Sequence, residues 1–94
     1  MAVLRIEHSV GDYDAWKQAF DDDPADRKGS GVRRHRIFRA TDDPSVVLID
    51  LEFDTAGDAE AMLGSLRDIW GRVQGTLIFE PTARIAEMVE TVDY

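Results

Sequence analysis

Cysteine is absent from the 94 residues. That excludes disulfides, zinc–thiolate sites, iron–sulfur clusters and thiol catalysis together. Positive charge is scarce: 11 basic against 19 acidic side chains leave a net charge of −8. Such a field repels phosphate, so no nucleic acid and no anionic membrane is expected as partner. No apolar run approaches the roughly 18 residues needed to span a bilayer. The first stretch, Met1–Val10, carries Arg5 and Glu7 inside its apolar residues. It is not expected to be a signal peptide, and a cytoplasmic location is the default expectation. Gly-x-Ser-x-Gly elbows and P-loops are missing as well. Gly29-Ser30-Gly31 has Arg34 where a dinucleotide loop needs its third glycine, and a strand follows where a helix is required.

What is present is patterned. Hydrophobic residues make up 44% and charged residues 32% of a chain of one-domain size, a composition that folds. Val3–Val10 alternates, with Leu4, Ile6, His8 and Val10 on one face, so a half-buried strand is expected. Asp12 can cap a helix over Asp12–Asp22, whose Tyr13, Trp16, Ala19 and Phe20 recur at helical spacing. Ala25–Gly31 reads as a loop with room for one helical turn.

Val32–Thr41 and Ser45–Asp54 read as a hairpin around Asp42-Asp43-Pro44. Pairing Thr41 with Ser45 sets Phe38 against Leu48, Arg36 against Asp50 and Arg34 against Glu52. It also sets Ile37 against Ile49 and His35 against Leu51. Opposite-charge cross-strand pairs contribute roughly 0.2–1 kcal/mol each, whereas a one-residue slip would oppose arginines to leucine and isoleucine.

Thr55-Ala56-Gly57-Asp58 opens a second helix as a capping-box variant. Ala59, Met62, Leu63, Leu66, Ile69, Trp70 and Val73 form its apolar stripe, and Gly75 stops it. Thr76–Phe79 reads as a short strand before Pro81. Residues 82–94 fit either a helix, through Ile85, Met88, Val89 and Val92, or the last strand that the topology asks for. The order is β-α-β-β-α-β, a ferredoxin-like α+β arrangement with an antiparallel sheet and both helices on one face.

Three segments carry a family likeness. They are Asp12-Tyr13-Asp14-Ala15-Trp16-Lys17 after the first strand, Arg36–Arg39 leading into Asp42-Asp43-Pro44, and Leu51-Glu52-Phe53-Asp54 before an alanine-rich helix. Together they resemble the dimeric α/β-barrel superfamily, which includes the antibiotic-biosynthesis monooxygenase-like proteins. The resemblance implies a homodimer whose two sheets face each other. It also implies an activity drawn from cofactor-independent monooxygenases, haem-degrading enzymes, cyclases or proteins without known activity. No catalytic signature of these enzymes matches residue by residue, and fold alone does not give function.

The sheet reading supports a second copy independently, because helices on one side leave the other side bare. Arg34, Arg36, Phe38, Leu48, Asp50 and Glu52, with Arg84 nearby, are the expected dimer interface. The competing reading is a charged sheet face open to water.

His8 and His35 fall on the helix side, as do Trp16 and Trp70 on the helices. They are the candidate ligand-binding residues, lining a pocket for a small apolar or aromatic molecule, with histidine available as a base near neutral pH. The competing reading makes all four plain core. No metal and no cofactor are expected. His8 and His35 lie 27 residues apart, and Arg34 and Arg36 compete for the oxygens of Asp50, Glu52 and Asp54. Asp21-Asp22-Asp23 lacks the glycine and terminal glutamate of a calcium loop. The basic stretch Val32–Arg39 alternates between faces, so half of its charge cannot meet one ligand. Three functions remain open: a small-molecule binder, a cofactor-independent monooxygenase or cyclase acting on an aromatic or polyketide-like substrate, and a purely structural dimer.

Overall fold

The computed structural model describes residues 1–94. Its elements run β1 (Ala2–Val10), α1 (Tyr13–Asp21), β2 (Arg34–Arg39), β3 (Val46–Phe53), α2 (Ala56–Val73) and β4 (Ile78–Glu87). The four strands form one antiparallel sheet in the order β2-β3-β1-β4. This is the ferredoxin-like arrangement expected from the sequence.

Alternation dictates which side of the sheet is covered. Leu4, Ile6 and Val10 of β1 and Val47, Ile49, Leu51 and Phe53 of β3 point to one face. They are buried there with Trp16 of α1 and Ala59, Met62 and Leu63 of α2. Asp12 caps α1, its side chain accepting from the amides of Asp14 and Ala15. Thr55 caps α2 through the Asp58 amide at 3.2 Å. The Asp58 carboxylate returns no bond to the Thr55 amide, so half of the capping box forms; aspartate is one methylene shorter than the usual glutamate.

The β2–β3 register is the one that charge matching selects, with Arg34 opposite Glu52, Arg36 opposite Asp50 and Phe38 opposite Leu48. The strands are shorter than the sequence pattern suggests, because the residues next to the turn bond locally. Val46 donates to Asp43, and Asp43 takes both the amide and hydroxyl of Ser45.

The end of the chain corrects the sequence reading. Thr76 and Leu77 form a turn on α2, donating to the Val73 carbonyl, and Gly75 adopts a left-handed φ of 88°. β4 begins only at Ile78 and continues through Pro81 to Glu87. Pro81 is tolerated because β4 is an edge strand and bulges there: Glu7 pairs with Thr82 but Ser9 with Phe79, so Glu80 and Pro81 together stand opposite His8. Glu80 takes up the kink with a φ of 53°. Residues 82–87 are thus strand, and residues 88–94 have no regular secondary structure.

Candidate functional site

The sheet and the helices do not close fully on each other. A cavity of about 160 Å³ lies between them, and 13 of its 16 lining residues are hydrophobic. Ile49 and Leu51 form its floor, Trp16 and Phe20 of α1 one wall, and Ile69 and Trp70 of α2 another.

His8 enters by the alternation of β1 and is 3% exposed. Its ring meets Trp16 edge-on, with centroids 5.5 Å apart. Its Nδ1 lies 3.3 Å from the Ser9 carbonyl oxygen, which can only accept. The proton therefore sits on Nδ1, and in the neutral ring Nε2 keeps the lone pair. Burial lowers the His8 pKa below 6.5, and the Ser9 bond opposes this only partly. At neutral pH His8 is an uncharged imidazole with a basic nitrogen, beside an apolar cavity.

Of the four residues singled out from the sequence, His8, Trp16 and Trp70 line the cavity together. His35 does not. It is on the expected face, but β2 is an edge strand and its side chain stays exposed. There it meets Phe20 edge-on at 5.2 Å. Its pKa is also lowered, first by partial burial and then by the charges of Arg27 and Lys17, against the pull of Asp21 and Asp23. His35 is thus a residue of the rim.

Sequence reasoning missed Arg27. It lies in the Ala25–Gly31 loop, where no periodicity marks a side chain as inward, yet it lines the cavity. Its guanidinium stands 3.8 Å above the Phe20 ring, and its Nη1 donates to the Phe20 carbonyl at 2.7 Å.

The opposite face of the sheet holds a second constellation. Arg34, Arg36, Phe38, Leu48, Asp50, Glu52 and Arg84 all reach it, as expected. The ion pairing differs from the register-based expectation. Asp50 is bonded by Arg5 at 3.1 and 3.2 Å, because β1 also places Arg5 opposite it. Arg36 turns instead to Glu52 at 3.5 Å, sharing it with Arg34 at 3.8 Å. Glu52 is 3% exposed, and its Oε2 accepts no hydrogen bond. Arg33 and Asp54 pair separately at 2.8 Å beyond the strand ends.

No protein-family model matches the chain, and no curated protein matches it in sequence. Solved structures do match its backbone. SnoaB of Streptomyces nogalater, a cofactor-independent oxygenase, aligns with a TM-score of 0.77 at 14% identity over 99% of this chain and 97% of that one. A provisionally identified antibiotic biosynthesis monooxygenase of Nitrosomonas europaea gives 0.68 at 21% identity, over 96% and 100%. A dimeric ferredoxin-like protein from an uncultured marine organism gives 0.67 at 8% identity over the whole of both chains. The chain has the fold of the antibiotic-biosynthesis monooxygenase-like proteins. At these identities the likeness is one of fold.

Proposed function

We propose that the protein is a homodimer that binds a small aromatic molecule in the cavity between sheet and helices. The cavity itself carries this reading: apolar walls, one neutral imidazole and about 160 Å³ of room. An apolar cavity of about 150 Å³ admits benzene, whereas pockets for drug-sized ligands start near 300 Å³. The volume favours a single ring over the multi-ring, polyketide-like ligand that the family resemblance brings into view.

The two tryptophans of the chain both line the cavity, so intrinsic fluorescence reads it directly. Toluene is expected to change that fluorescence saturably. Ala19→Leu, which adds three carbons to a lining residue, is expected to remove the response with the fold retained. A response unchanged by Ala19→Leu would place binding elsewhere, and no response at all would leave a structural dimer.

His8 and the likeness to SnoaB favour a second reading, cofactor-independent oxygenation. A phenol that yields its proton to His8 Nε2 becomes an electron-rich phenolate, able to pass electrons to O₂. For a hydroquinone, one oxygen atom would enter at a ring C–H, the ring would be oxidised to the hydroxyquinone, and the two phenolic hydrogens would leave with the second oxygen as water. Oxygen uptake with a monocyclic hydroquinone should then fall sharply in His8→Ala, and undiminished turnover there excludes the base role.

The homodimer rests on the bare sheet face. Phe38 is 47% exposed beside Leu48, and the dimeric neighbour shares the fold. A second sheet would bury both apolar groups.

A further inference from the structure

Arg27 is the cation on an otherwise apolar cavity, and its geometry is fixed from two sides. The guanidinium carbon stands 3.8 Å from the centre of the Phe20 ring, and Nη1 is anchored on the Phe20 carbonyl at 2.7 Å. Asp23 adds a long contact to the same nitrogen, at 3.4 Å, while the same carboxylate oxygen also takes the backbone amide of Arg27 at 3.0 Å. Both polar contacts of the guanidinium itself engage Nη1. The donors on Nε and Nη2 meet no acceptor in the protein and are not buried, so they stay open to water or a ligand on a side chain that is 17% exposed. A rigid guanidinium with a spare donor edge matches a planar carboxylate, which accepts two parallel bonds from it. An amine would meet this cation and gain nothing from it.

We propose that Arg27 makes the cavity selective for a monocyclic aromatic carboxylate, its ring between Trp16, Ile69 and Leu51 and its acid group on the Nε/Nη2 edge. This rests on the reading that the cavity holds an aromatic ring. The chain's net charge of −8 works against anion binding in general. A preference for an acid over its neutral isostere therefore reports the local guanidinium.

Benzoate, benzamide and toluene, titrated near neutral pH against tryptophan fluorescence, test the proposal. Benzamide matches benzoate in shape and lacks its charge. Benzoate is expected to bind about tenfold tighter than benzamide, the usual margin of a charge-assisted over a neutral hydrogen bond. Arg27→Met should erase that margin and leave toluene binding in place. Arg27→Lys, which keeps the charge without the fork, should retain part of it. Toluene bound with no preference for benzoate overturns the acid selectivity and leaves the aromatic cavity standing. A margin that persists in Arg27→Met overturns the assignment to Arg27. Binding of none of the three overturns the cavity reading and this one with it. If Arg27→Met does not fold, the wild-type margin and its fall in Arg27→Lys decide; an absent margin, or one unchanged in Arg27→Lys, overturns the proposal.

Discussion

His8 couples the candidate site to the stability of the chain. An unfolded imidazole takes up a proton near pH 6.5, and the buried ring takes it up at lower pH. Below pH 6.5 the unfolded state therefore binds more protons than the folded one, and acid favours unfolding. The contribution of neutral His8 is complete above pH 6.5 and is lost as pH falls toward the folded value. We expect the melting temperature to decline between pH 7 and pH 5, before most carboxylates titrate. His8→Gln should flatten that decline; an equally steep one would assign the effect to other groups. His35 shifts in the same direction, but it is exposed and solvent screens it. The placement of His8 was legible in the alternation Leu4, Ile6, His8, Val10. The rim position of His35 was not, because its own strand alternates just as well, and only its place at the sheet edge leaves it uncovered.

Two glycines of the α2 region play opposite parts. Gly64 lies inside the helix and Gly75 just beyond it, and a Cβ at either position would meet nothing within 4 Å. Space being equal, backbone conformation alone decides. Gly64→Ala removes helix-interior flexibility and should stabilise by about 0.5–1 kcal/mol. Gly75→Ala must hold a φ of 88° and should destabilise by about 1–2 kcal/mol. Urea unfolding midpoints that move in the same direction would contradict this. At the start of α1, Asp12→Ala loses a cap that serves two amides and should cost about 1 kcal/mol on the same measurement. Caps and stops of this kind are local, so both helices could be read from the sequence. The hairpin register was legible for a related reason: across one short turn, charge and apolarity allow one pairing. β4 was not. Pro81 looks like a strand ending, and its accommodation depends on a bulge opposite His8, 73 residues earlier in the chain.

The molecule as a whole has a core of 13 buried hydrophobic residues on one side of its sheet, and on the other a lattice of arginines and acids around Phe38 and Leu48. Small domains bury a limited share of their surface, and a second copy is an economical remedy. Sedimentation at micromolar concentration should give twice 10.6 kDa. Phe38→Asp, an exposed position in the chain on its own, should return the single-chain mass with the circular dichroism of the fold intact. A wild-type species of 10.6 kDa would contradict the dimer.

The absences that bounded the chemistry, the strand and helix periods, the caps and the β2–β3 register were determined by the sequence itself. Each depends on residues close together in the chain or on a sum over all of them. Tertiary structure decided the rest. It set the pairing of Asp50 with Arg5 in place of Arg36, the path of β4, and the approach of loop residue Arg27 to a cavity built from β1, β3 and both helices. Those features arise where distant segments meet, and no local period or spacing encodes which side chains will face one another there.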